Sequence, residues 1–108
     1  MANGNLLCDF CSAPDPGWRY PARSFIAYNA ADIAGESVGD WAACEKCHAL
    51  IEANDRPGLA QRSLDELIAK HPEAVMAAPA LYQDLAELHQ KFFEFRCGLA
   101  TLITAVAL

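Results

Sequence analysis

The sequence predicts an α+β fold: an N-terminal zinc finger built of a knuckle, a β-hairpin and a short helix, then a helical C-terminal region with a long amphipathic helix. Three observations predict it. Two Cys-x2-Cys pairs lie in the first half, aromatic strand-like runs lie between them, and from residue 59 onward apolar residues recur at helical spacing. The chain therefore divides into a finger segment, 1–58, and a helical segment, 59–108, expected to pack on it as a single compact domain. A length of 108 residues suffices for one modest domain and is too short for two.

Taken in order, Cys8-Asp9-Phe10-Cys11 forms the first knuckle, and Ser12-Ala13-Pro14-Asp15-Pro16-Gly17 after it is dense in turn formers. Trp18-Arg19-Tyr20 and the run from Ser24 to Tyr28 have the aromatic, alternating character of strands, with Pro21 separating the arms of the hairpin. Gly35 and Gly39 punctuate a loop, and Asp40-Trp41-Ala42-Ala43 leads into the second pair, Cys44-Glu45-Lys46-Cys47. From Cys47 to about Ala53 the pattern is helical, and Asn54-Asp55-Arg56-Pro57-Gly58 ends it. Ser63 with Glu66 three positions later is a capping box, so the next helix is expected to begin there. Its apolar face is Leu64, Leu67 and Ile68, and His71-Pro72 stops it. Pro79 opens the last helix, along which Leu81, Leu85, Leu88, Phe92, Phe95, Leu99, Leu102 and Val106 form a continuous heptad stripe.

Composition narrows the function. The chain is 54% hydrophobic with a net charge of −6, which argues against a disordered chain. Residues 1–62 and 63–108 each carry −3, so the field repels phosphate and makes nucleic acid and anionic membranes unfavoured partners. The apolar run from Gly98 to Leu108 has 11 residues, well short of the roughly 20 needed to cross a bilayer. The opening residues MANGNLL lack the charged segment and long apolar run of a secretory signal, so the expected setting is cytoplasmic, with reduced thiols.

The strongest chemical signal is Cys8, Cys11, Cys44 and Cys47: two Cys-x2-Cys pairs separated by 32 residues. Two residues between paired cysteines let one tight turn deliver both sulfurs to a single ion, and four thiolates suit a closed structural Zn2+ site. Iron is the alternative metal. Cys44-Glu45-Lys46-Cys47-His48 also matches the haem attachment motif, but haem would leave Cys8 and Cys11 unexplained. Redox pairs of thioredoxin type would need a βαβ context, and the deaminase and His-Glu-x-x-His patterns of catalytic zinc are absent. No catalytic residues are assigned. His48 reads as a residue that orients the site or lies on the surface, and His71 and His89 as exposed or packing histidines.

The strings CDFCSAPDPGWRYPARSF and GDWAACEKCHALIEANDRPGL resemble small uncharacterised bacterial proteins with an N-terminal four-cysteine finger of treble-clef or zinc-ribbon type, over about the first 60 residues. The resemblance implies the finger fold and the four zinc ligands, and no activity. Gly39-Asp40-Trp41 before the second pair is similar to rubredoxins, which implies iron and electron transfer. That family places glycine after each pair, where this chain has Ser12 and His48.

Two surfaces are candidates for recognition. Trp18, Arg19, Tyr20 and Arg23, with Phe25 and Tyr28, concentrate aromatic and basic groups, a possible ligand surface for a nucleotide or peptide, though packing beneath the metal site with arginine stems over apolar surface is the favoured reading. The stripe from Leu81 to Val106, widened by Tyr82, Phe93 and Ile103, is too broad for the short preceding helix to cover. Self-association as a homo-oligomer, a dimer paired through this helix, or docking on a protein partner is therefore expected. Cys97 falls off the stripe and is expected to be a free thiol. The function that emerges is a non-enzymatic zinc-binding interaction protein, with a small nucleic-acid-binding regulator and an iron electron carrier as alternatives.

Overall fold

The computed structural model describes residues 7–30, 33–37 and 39–103. Strand β1 (Trp18–Tyr20) forms the centre of a three-stranded antiparallel sheet, with β4 (Trp41–Ala43) on one side and β5 (Thr101–Leu102) on the other. Tyr20 faces Trp41 in one register, and Trp18 faces Leu102 in the other. Strands β2 (Phe25–Ala30) and β3 (Ile33–Ser37) form a separate antiparallel ribbon. The expected hairpin between β1 and the following run is therefore replaced: β1 pairs with strands distant in sequence, and the run after Pro21 pairs with residues read as loop. Pro21 interrupts the two runs, and its carbonyl instead accepts from the Cys97 N–H at 2.9 Å.

Three helices follow: α1 (Glu45–Glu52), α2 (Arg56–Lys70) and α3 (Ala78–Phe95), with a 3-10 turn over Pro72–Ala77 between the last two. Helix α2 begins a full two turns before the capping box. Asp55 is its cap, its carboxylate accepting from the Gly58 N–H at 3.0 Å, and Pro57 fits the first turn. Ser63 is buried in mid-helix beside His89, so its hydroxyl serves packing between α2 and α3 and not a helix start.

Helix α3 ends at Phe95, and this corrects the heptad stripe. Leu81, Leu85, Leu88, Phe92 and Phe95 lie on the helix, but Leu99 and Leu102 lie beyond its end, Leu102 in β5, and are 82% and 64% exposed. Val106 lies outside the described residues. Backbone hydrogen bonding overrides the helical pattern here. Arg96 leaves the helix in an extended conformation and bridges Ala22, Arg23 N–H donates to the Phe95 carbonyl, and Ile103 N–H donates to the Gly17 carbonyl. Continuing as strand satisfies the edge of β1 that a helix would leave open. Gly98 makes the passage possible, since a Cβ there would stand 2.9 Å from the Pro21 ring.

The core is aromatic. Phe92 is fully buried, with ring centroids 5.0 Å from Phe10, 5.1 Å from Trp41 and 5.5 Å from Tyr20. Leu59 of α2 and Ile51 of α1 complete the same cluster as the four cysteines of the knuckles. Packing and metal chemistry thus share one interior.

Candidate metal centre

Each cysteine pair is shaped by its own backbone. In the first knuckle, Cys8 N–H donates to the Ala13 carbonyl and Ser12 N–H to the Cys8 carbonyl, both at 2.8 Å, while Phe10 N–H points at the Cys8 sulfur at 3.4 Å. Closing this turn takes Ser12 to φ +65°, a left-handed conformation in which glycine is at ease. In the second pair Cys44 caps α1. Its sulfur accepts from the Cys47 N–H at 3.5 Å, the place an oxygen holds in an ordinary cap. Both sulfurs of that pair therefore sit at the N-terminal end of the helix.

Asp9 brings the pairs together. Its N–H donates to the Ala42 carbonyl at 2.8 Å and its carboxylate accepts from the Ala42 N–H at 2.7 Å, so the first knuckle is fixed against β4, the strand that delivers Cys44. Burial raises the pKa of this carboxyl, an effect that the Ala42 hydrogen bond opposes.

As a result Cys8, Cys11, Cys44 and Cys47 are all buried, and their sulfurs lie within 4.8 Å of one another. A tetrahedron with bonds of about 2.3 Å has edges of about 3.8 Å. The Cys11 and Cys44 sulfurs are 3.6 Å apart, too far for a disulfide and right for two ligands of one ion. The thiols also resist ionising together. The hydrogen bond from Cys47 pulls Cys8 down to about 5, and that same bond and burial push Cys47 up. Burial raises Cys11 as well. A cation at the centre removes this conflict, because all four thiolates then share its charge. The donor set and its spacing fit a metal ion.

Around the sulfurs the side chains are fixed in turn. His48, next to Cys47, stacks on Trp18 with centroids 3.7 Å apart. The buried Tyr20 donates its phenol proton to Glu52 at 2.8 Å, so its oxygen accepts from Nδ1–H of His48 at 2.7 Å. Burial and the Glu52 carboxylate hold the phenol protonated. Trp18 Nε1 donates to Glu45 at 3.0 Å. The aromatic and basic cluster is thus taken apart. Tyr20 is buried, Trp18 belongs to the α1 surface, exposed Arg19 lies 3.8 Å from Asp40, and Arg23 extends over the Phe95 ring. Phe25 is buried between Trp41 and Phe95, and the Tyr28 side chain lies outside the described residues.

No protein-family model, curated protein or solved structure matches this chain. The four cysteines are positioned to hold a metal ion, and they are the group of this kind found among the described residues.

Sequence reasoning missed Arg62 here, and of the two readings given for His89, exposed or packing, the structure takes packing. Arg62 brings a guanidinium nitrogen to 3.9 Å from the Cys44 sulfur, 18 positions away in sequence with no motif to link them. His89 is only 2% exposed, packed on Phe10, and burial lowers its pKa to about 4. Cys97 is exposed and apart from the cluster. No helix among the described residues is long and apolar enough to cross a membrane.

Proposed function

We propose that the chain is a non-enzymatic zinc protein in which Cys8, Cys11, Cys44 and Cys47 hold one structural Zn2+ and the α2/α3 surface mediates self-association. The observation that carries the metal reading is the closed set of four buried sulfurs, 4.8 Å or less from one another. Four protein ligands fill a tetrahedron, whereas catalytic zinc keeps a position for water. Zinc would supply folding free energy, since the knuckles bring few large aliphatic groups to the core. The finger is of treble-clef character on this reading, with one ligand pair in a knuckle and the other in the first turn of a helix.

Support for association comes from a groove of about 500 Å³ lined by Leu67, Leu81, Leu85 and Leu88, with Asp84, Glu87 and Lys91 on its rim. Opposite charges two turns apart on one helix suit a second copy running antiparallel, which presents each charge to its opposite. The occupant proposed is a second copy of this chain.

Metal analysis with native mass measurement tests both parts. One colourless Zn2+ per chain and a dimer that Leu85→Glu dissociates are expected. Stoichiometric iron with the red colour of a ferric tetrathiolate would replace zinc by the electron-transfer alternative, and a monomer at all concentrations would remove the association.

A further inference from the structure

We infer that Arg62 is a working part of the metal centre: its guanidinium offsets the charge of the thiolates and slows loss of the ion. The inference rests on the metal reading above and adds to it a residue outside the ligand set.

Four thiolates around a divalent ion carry a net charge of −2, buried where water cannot spread it. Helix α2 places one cation against that charge. Leu59, Ala60, Ser63 and Leu64 bury one side of α2, which fixes its rotation, and Arg62 on the same stretch reaches Cys44 with Nη2 at 3.9 Å. Its Nε is buried with no hydrogen-bond partner among the described residues. Among the described residues no carboxylate lies within ion-pair distance of Arg62, so the sulfurs are the anions it meets. An unpartnered buried guanidinium nitrogen is costly unless a negative charge is near, and a metal tetrathiolate supplies one. Cys44 thereby receives two donors, the Cys47 N–H and Arg62.

The consequence is kinetic and electronic. Positive charge beside a thiolate lowers its donor energy and its readiness to be protonated or displaced, so the ion is held longer. An arginine does this without offering a competing ligand, since it stays protonated in proteins.

The test loads wild type, Arg62→Lys and Arg62→Gln with Co2+ alone and follows the sulfur-to-cobalt charge-transfer band and the rate of release to excess chelator. In Arg62→Gln the band is expected to move to lower energy and release to quicken by about 10- to 100-fold, the range typical for outer partners of metal ligands. Arg62→Lys should keep the band near its wild-type position. Circular dichroism of the loaded variants checks that each is folded. Unchanged band and release in a folded Arg62→Gln overturn the inference while leaving the metal site standing. A wild-type chain that takes up no cobalt and shows no thiolate band overturns the metal reading itself, and Arg62 with it.

Discussion

The rings of Phe10 and Phe92 meet edge to face with centroids 5.0 Å apart, which fastens the loop between the first two cysteines to the last helix. The knuckle is thus held from inside by a residue that arrives more than 80 positions later. Phe92→Ala empties the centre of the aromatic cluster and should destabilise the protein by about 3–5 kcal/mol. It should also speed metal release, because Phe10 loses its abutment. Chemical denaturation and chelator kinetics on the same samples check both, and a loss of stability with unchanged release would separate the core from the metal centre.

Ser12→Gly should act in the opposite direction. Ser12 holds φ +65°, where a Cβ is crowded and glycine is at ease. The variant is expected to gain up to about 1 kcal/mol in the metal-loaded state, read from the denaturant midpoint at constant slope. A destabilised Ser12→Gly would mean that the hydroxyl matters more than the backbone.

Burial keeps His89 neutral by holding its pKa at about 4, below the usual 6.5. The unfolded chain binds the proton more readily, so stability is full above pH 6.5 and declines as pH falls toward about 4. The whole difference corresponds to about 3 kcal/mol. Urea titrations of wild type and His89→Gln across this window separate the effect from thiolate protonation, which both share. Equal slopes in the two proteins would contradict it.

Asp55→Ala should cost about 1 kcal/mol, the usual loss of a helix cap, whereas Ser63→Ala should cost less. Thermal unfolding of the two variants decides which residue starts α2.

The sequence made the four ligands legible because the two-residue spacing within each pair is a local constraint: one turn must present two sulfurs. Helix α1 and the Pro79 entry to α3 were legible for the same reason. What stayed hidden depends on partners far along the chain. The capping signal at Ser63 is real chemistry, yet Asp55 with Pro57 offered an earlier start, and the buried face of α2 needed Leu59 and Ala60 inside the helix. The stripe through Leu99 and Leu102 has perfect helical spacing, but an open strand edge at Trp18 and Arg19 claimed that segment. Arg62 carries no local pattern at all.

The position of the β2–β3 ribbon has a consequence for how this motif varies. The ribbon leaves and returns between Cys11 and Cys44, inside a loop whose ends the two knuckles and the Asp9 clamp hold together. Closing a flexible loop twice as long costs only about 0.6 kcal/mol more. The gap of 32 residues is therefore the most elastic number in the motif. A chain that shortened the ribbon to a tight turn, or lengthened it into a larger sheet, could keep the same tetrahedron. The fixed quantities are the two short spacings and the aspartate and phenylalanine between the first pair.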